Sequence, residues 1–277
     1  MKFETVYGDL VYEVHGEGRP LLLLHGWPLD RRFMSGVFEP LFENRPGWRR
    51  VYPDLPGMGD TGALPGVTTQ DQVLDIVAEF ARRTAGEESF AAVGLSYGGL
   101  LAQGLTERLG QSMSGMAAIV PSMSGDRERR RLPEHAVLHR ECVDFSAVPD
   151  TREGFEGMAV VQTQAHLDAW KRLILPGVAA ADTDFLEELG KSFEFSFDLR
   201  ALPRPFEAPT LFLLGRFDST CGYREALDVV ESYPRGSFVV LDRAGHCLNF
   251  EQPALFAALM GEWLDRVEEY AATSGGR

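Results

Sequence analysis

Ser89-Phe90-Ala91-Ala92-Val93-Gly94-Leu95-Ser96-Tyr97-Gly98-Gly99, residues 89–99, is the stretch around which this chain is organised. Phe90 to Val93 is a short apolar run with no polar alternation, the pattern of a strand covered on both faces. It runs into Gly94-Leu95-Ser96-Tyr97-Gly98, the G-x-S-x-G spacing of a nucleophile elbow, and from Gly99 to Leu109 apolar residues recur at helical spacing. A serine on so abrupt a strand-to-helix turn must take a strained, positive φ. Side chains at positions 94 and 98 would collide with the backbone folded around it, which gives both glycines a steric reason. The Ser96 hydroxyl is then expected above the sheet edge beside the first N–H groups of a helix, where an attacking oxygen and a developing oxyanion are both served.

The flanking sequence supplies the sheet this turn requires. Residues 2–15 read as two short strands joined at Gly8-Asp9, and Leu21 to Leu24 as a central parallel strand that exits into His25-Gly26-Trp27-Pro28. A helix is predicted over Asp30 to Asn44 with Asp30 as its N-cap. A strand begins at Arg50-Val51-Tyr52, and an amphipathic helix introduced by Thr69 runs through Val73, Ile76, Val77 and Phe80. Met116 to Val120 is the next buried strand. Such alternation is the signature of βαβ units on a mostly parallel sheet.

The alternation stops near residue 121. Pro121 to about Pro205 is helical and loop-like, without a run of parallel-strand quality. It resumes with a strand at Thr210 to Leu214, a helix around Tyr223 to Val230, a last strand at Ser237 to Leu241, and a helix from about Gln252 to Tyr270 with Pro253 early in it. The expected fold is therefore α/β, a mostly parallel twisted sheet flanked by helices. Its core is 1–121 and 206–277, and a mainly helical insertion, 122–205, is placed as a lid over the sheet's C-terminal edge.

Composition narrows the function. With 277 residues, 44 % hydrophobic and 25 % charged, the chain can bury a full core. The net charge of −14, from 27 Lys plus Arg against 41 Asp plus Glu, repels phosphate backbones and anionic bilayers, which weighs against nucleic-acid and membrane-surface roles. The one basic cluster, Arg127, Arg129, Arg130 and Arg131, reads as a solvated face or lid hinge. Three cysteines, Cys142, Cys221 and Cys247, with no C-x-x-C, fit a reducing compartment and offer no metal site or disulfide framework; Cys247 reads as packing. Glu4 and Asp9 interrupt the N-terminus where a signal peptide needs an apolar core, and no apolar run approaches the ~18 residues of a membrane span. The expected location is cytoplasmic.

A serine hydroxyl needs a base to take its proton and an acid to orient that base. Asp218 follows the strand ending at Leu214, and His246 follows the strand ending at Leu241. With Ser96 they occupy the C-terminal ends of strands in the order Ser, Asp, His. Asp126, soon after the strand ending at Val120, is the backup acid. His25, at the end of a buried strand, is read as structural together with Gly26, whereas the N–H groups of Trp27 and Tyr97 can pair as oxyanion donors. Both of those side chains are expected to flank the pocket mouth, with Trp170 and Phe197 as lid residues lining the pocket.

HGWP at 25–28, DLPGMG at 54–59, GLSYGG at 94–99, GRFD at 215–218 and AGH at 244–246 together resemble the α/β-hydrolase superfamily. The branch is the lidded one of small esterases, lactonases, carbon–carbon hydrolases, haloperoxidase-like perhydrolases and prolyl aminopeptidases. The resemblance covers the chain except the lid. It implies Ser96 as nucleophile, His246 as base, Asp218 as acid and the amides of Trp27 and Tyr97 as oxyanion donors. Serine at the nucleophile disfavours epoxide hydrolysis and dehalogenation, for which that branch uses aspartate.

The expected activity is hydrolysis of a small ester, thioester or lactone through an acyl-enzyme, with no metal or organic cofactor and a small molecule as partner, by a monomer or homodimer. Carbon–carbon hydrolysis would need a basic pocket residue, for which Arg216 and the arginines at 127–131 are the candidates. Aminopeptidase activity would need a lid carboxylate such as Glu156, Glu187, Glu188 or Glu194. Perhydrolysis and slow-turnover ligand binding on the same frame are the further alternatives.

Overall fold

The computed structural model describes residues 1–124 and 130–274; Asp126, Arg127, Arg129 and the terminal residues 275–277 lie outside the described residues. Eight strands form one sheet in the order β1-β2-β4-β3-β5-β6-β9-β10. β1 (Lys2–Thr5), β2 (Gly8–His15) and β4 (Trp48–Pro53) pair antiparallel in turn. β3 (Arg19–Leu24), β5 (Phe90–Leu95), β6 (Met113–Ile119), β9 (Thr210–Gly215) and β10 (Gly236–Leu241) run parallel, and β3 also pairs parallel with β4.

Both faces of this sheet are covered, which is why its strands read as unbroken apolar runs. Leu22, Leu24, Ala92, Ala118 and Phe212 face α2 (Gln70–Ala85) and α3 (Tyr97–Leu109). Their neighbours Leu21, Leu23, Val93, Ile119 and Leu213 face α1 (Arg31–Phe42) and α9 (Pro253–Ser274). The helix starts are fixed by side chains. Asp30 accepts from the Arg32 N–H at 2.9 Å, and Thr69 and Gln72 close a reciprocal capping box on α2.

Two connections differ from expectation. The first hairpin turns at Val6-Tyr7, not at Gly8-Asp9, because Thr5 already pairs with Gly8. The Thr5 hydroxyl closes the tighter turn, accepting from Tyr7 N–H at 3.1 Å and donating to Gly8 O at 2.8 Å. Gly8, at φ 135°, opens the second strand. The helix predicted near Tyr223 is a 3-10 segment, Glu225–Ser232.

Between β6 and β9 lie α4 (Arg152–Met158), α5 (Gln164–Leu173), α6 (Leu175–Ala180) and α7 (Thr183–Gly190). This stretch also holds a small parallel pair, β7 (His139–Arg140) with β8 (Val161–Gln162). Those two-residue strands are too short to leave a periodic signal. Phe155, Leu167, Trp170 and Leu173 join the apolar cluster of α1 and α9, while Leu186, Leu189 and Leu199 join that of α2 and α3, so this stretch packs onto both clusters. A short helix, α8 (Leu248–Glu251), precedes α9. Among the described residues no helix is long and apolar enough to cross a membrane.

Candidate active site

The parallel register brings the C-terminal ends of β3, β5, β6, β9 and β10 to one edge, and Trp27, Ser96, Asp218 and His246 lie in the turns that leave it. β5 passes directly into α3 through Ser96, whose backbone sits at φ 55°, ψ −111°. Two close backbone approaches force this geometry. A Cβ on Gly94 would overlap the Gly98 carbonyl, and one on Gly98 would overlap the Leu24 carbonyl. The strained serine is pinned by its own peptide groups: its N–H donates to Ile119 O at 2.9 Å. Its carbonyl accepts from Leu100 N–H at 3.1 Å and Ser122 N–H at 3.0 Å.

His246 Nε2 lies 3.0 Å from Ser96 Oγ, and His246 Nδ1 lies 3.0 Å from Asp218 Oδ2. Asp218 is fully buried, and its other oxygen accepts from the N–H groups of Thr220 (2.8 Å) and Cys221 (2.9 Å). A carboxylate accepts only, so Nδ1 carries the imidazole proton and Nε2 is left to accept from the serine hydroxyl. Burial pulls the His246 pKa down, but the Asp218 carboxylate and the Cys221 sulfur pull it up further, and the ring titrates well above an ordinary histidine. The Asp218 contribution is the durable one, because Cys221 acts on the ring by charge only as a thiolate.

His25 is fully buried and bridges two segments: its Nδ1 donates to Gly26 O at 2.9 Å, and its Nε2 accepts from Leu55 N–H at 3.0 Å. Desolvation lowers its pKa and keeps it neutral, so it holds the exit of β3 against the loop after β4. A Cβ on Gly26 would come within 3.3 Å of Ser96 Cβ, so the backbone leading to Trp27 passes beside the serine. Tyr97 is the first residue of α3, where N–H groups have no acceptor inside the helix.

Tyr97, Trp170 and Arg130 depart from expectation. Tyr97 does not flank a mouth: it is 1 % exposed, and its hydroxyl donates to Gln70 Oε1 at 2.6 Å, because the first turn of α3 directs it into the core against α2. Burial pushes that phenol well above its usual range. Trp170 is spent on packing, edge-to-face on Phe155 with its Nε1 donating to Thr151 Oγ1 at 3.1 Å. Of the basic cluster, Arg131 is exposed and pairs with Glu225 and Asp228, whereas Arg130 is half-buried and donates to Thr220 O, Ser124 O and Ser122 Oγ.

Two cavities border the edge. One, of about 380 Å³, is lined by Trp27, Pro28, Val178, Leu186, Glu187 and Phe193. Trp27, Tyr97 and Phe193 meet ring to ring beside it. The other, of about 340 Å³, is bounded by Leu100, Met123, Phe193, Glu194 and Phe197, the last stacked on Phe195. Of the other carboxylates singled out between residues 122 and 205, Glu156 pairs with Arg152 and Glu188 with Lys191. Arg216 is exposed and directed at the Tyr223 hydroxyl.

Two residues at the site had no sequence signal of their own. Cys221 Sγ lies 3.8 Å from Ser96 Oγ, because the turn closed by Asp218 folds position 221 back toward the serine. Only the Asp-x-x-Cys spacing hints at it. Glu251 is buried, accepting from Gly245 N–H at 2.6 Å with one oxygen and from Val160 N–H at 2.6 Å with the other. Cys247 is buried in the α1/α9 cluster, and desolvation raises its thiol well above the ordinary value.

A family model described as "Alpha/beta hydrolase family" matches residues 21–259. The chain is similar to a solved structure of an alpha/beta superfamily hydrolase from Oenococcus oeni PSU-1, at 28 % identity and TM-score 0.90, covering 97 % of this chain and 99 % of that one. It is also similar to a thermophilic esterase from Thermogutta terrifontis, at 26 % identity and TM-score 0.69, covering 96 % and 98 %. Among characterised proteins, a pimeloyl-[acyl-carrier protein] methyl ester esterase of Legionella pneumophila (strain Paris) is 24 % identical over 255 residues, 90 % of this chain and 97 % of the relative.

Proposed function

The chain belongs to the alpha/beta hydrolase family, and from that premise we propose that it is a serine esterase acting on small, uncharged carboxylic esters, thioesters or lactones. The observation that carries this is the unbroken relay from Asp218 through His246 to Ser96, with both links at 3.0 Å. Ser96 Oγ attacks the carbonyl carbon while His246 Nε2 takes its proton, and Asp218 stabilises the resulting imidazolium. The N–H groups of Trp27 and Tyr97 receive the oxyanion, each worth about 3–4 kcal/mol in comparable sites. His246 then protonates the leaving alcohol or thiol. The same imidazole takes a proton from water, which attacks the acyl-enzyme and releases the acid.

The segment at 122–205 acts as a cap over this edge. The mostly apolar cavity beside Trp27 suits an aliphatic acyl group, with Glu187 the one ionised residue among those named for it. Ester chemistry is favoured over carbon–carbon hydrolysis because the described candidate cations are engaged elsewhere, Arg130 on backbone carbonyls and Arg216 on Tyr223. The esterases among the relatives support the same chemistry. The test is turnover of short- and medium-chain p-nitrophenyl esters with fluorophosphonate labelling, wild type beside Ser96→Ala. Hydrolysis and labelling in the wild type, both lost in the variant, are expected; an unlabelled wild type would overturn the assignment.

A further inference from the structure

We propose that Ser96, Cys221 and His246 together form a site for a thiophilic d10 divalent cation such as Zn2+ or Cd2+, with Asp218 as the carboxylate behind the imidazole. The ligand atoms of Asp218, Cys221 and His246 all lie within 4.8 Å of one another. Ser96 Oγ completes the set, 3.0 Å from His246 Nε2 and 3.8 Å from Cys221 Sγ. A tetrahedral Zn2+ with bonds of about 2.3 Å to sulfur and about 2.0–2.1 Å to nitrogen and oxygen holds its ligand atoms roughly 3.3–3.6 Å apart. The two separations involving Ser96 Oγ bracket that range, and side-chain rotation about Cys221 and Ser96 is what closes the set around a cation.

The supporting shell is already built. Asp218 Oδ2 receives the Nδ1 proton of His246, which leaves Nε2 as the metal-facing nitrogen, the carboxylate–histidine–metal arrangement. Asp218 Oδ1 holds the Cys221 N–H at 2.9 Å, so the same carboxylate fixes the backbone that carries the thiol. Cys221 is 3 % exposed and Asp218 fully buried, so the cation would reach the sulfur from the Ser96 side, the route the ester also uses. Binding exchanges the Cys221 thiol proton for the metal. The proton leaves to solvent, the oxidation state is unchanged, and thiolate plus carboxylate balance the charge of two. The bound cation occupies both Nε2 and Oγ, so it blocks proton transfer between them. Metal binding stands independently of the esterase reading, and only its inhibitory consequence rests on that reading.

The experiment is titration of the full chain with Cd2+ in a weakly coordinating buffer, following the ultraviolet thiolate-to-Cd2+ charge-transfer band. It uses wild type, Cys221→Ser, His246→Gln and, as the control for the exposed cysteine, Cys142→Ser. In parallel, ester hydrolysis by wild type, Cys221→Ser and Cys142→Ser is measured with Zn2+ and after EDTA, each against its own metal-free rate. We expect a stoichiometric band in wild type and Cys142→Ser, none in Cys221→Ser, and binding weaker by about tenfold or more in His246→Gln. Zn2+ should inhibit the wild type reversibly, and Cys221→Ser should be about tenfold less sensitive. A wild type without the band, a band that survives Cys221→Ser or vanishes in Cys142→Ser, or equal Zn2+ sensitivity in Cys221→Ser, would overturn the site. A chain that shows the band but hydrolyses no ester would count against the esterase reading and leave the metal site standing.

Discussion

Replacing Glu251 by Gln tests whether a side chain with no place in the proton relay holds that relay in position. Its two oxygens serve two partners: one accepts from Gly245 N–H, the residue before His246, and the other from Val160 N–H at the start of β8, each at 2.6 Å. Glutamine offers one oxygen and one NH2 group, so either orientation turns a donor toward one of these buried N–H groups. A buried backbone donor left without an acceptor costs about 1–3 kcal/mol. In a chain of this size, that lowers the melting temperature by roughly 2–4 °C per kcal/mol. Burial raises the Glu251 pKa above the ordinary 4.5, outweighing the hydrogen bonds that pull it down, so the folded protein binds this proton more tightly than the unfolded chain. The contribution of Glu251 to stability is therefore fully present below 4.5 and is lost as pH rises through the folded-state pKa. Glutamine does not titrate, so the gap between wild type and Glu251→Gln should be widest at the acid end and narrow toward neutral pH. Thermal melts by circular dichroism from pH 5 to 8 read this directly. Loosening of the Gly245 anchor should also lower kcat/KM about tenfold or more, since a misplacement of about 1 Å can cost about 10²-fold. Melts within ~1 °C of wild type at every pH, with unchanged kcat/KM, would refute the positioning role, because the orphaned donor would cost nothing measurable.

Asp218→Asn should lower kcat on the order of 10⁴-fold. The amide oxygen will take the Thr220 and Cys221 N–H groups, leaving NH2 toward His246 Nδ1 and forcing the proton onto Nε2. The active base is the neutral ring, so wild-type activity should fall as pH drops through the raised His246 pKa, an acid limb above 6.5 in a pH–kcat/KM profile. Loss of the carboxylate should move that limb down. Gly98→Ala should destabilise by about 3 kcal/mol or more, because its Cβ meets the Leu24 and His25 carbonyls and backbone cannot yield as a side chain can. A melt unchanged from wild type would refute the steric account of the elbow.

Much of the fold was legible because its determinants are local. Leu21 to Leu24 and Thr210 to Leu214 carry no polar alternation, since their odd and even residues pack into separate clusters on the two faces of the sheet. Ser96, Asp218 and His246 were legible as candidates because each lies shortly after a strand end, and parallel strands deliver those ends to one edge. What was not legible depends on where a side chain turns after leaving its element. Tyr97 and Trp27 carry the neighbouring amides, yet Tyr97 turns into the core while Trp27 lines a cavity. Cys221 reaches Ser96 only through the turn folded around Asp218, and Glu251 reaches Gly245 and Val160 from a helix after His246. No periodicity encodes such a reach.

The contacts made by Arg130 and Glu251 have a form that bears on how specificity could vary around a fixed chemistry. Where residues 122–205 meet the loops that carry Asp218 and His246 through Arg130 and Glu251, the bonds to those loops and to β8 end on main-chain atoms. Arg130 donates to the Thr220 carbonyl in the Asp218 turn, and Glu251 accepts from Gly245 on one side and Val160 on the other. A bond to a peptide group is indifferent to the side chain that group carries. Residues lining the cavities, such as Val178, Leu186 or Phe197, can then change without moving His246 or Asp218, so long as Arg130 and Glu251 remain.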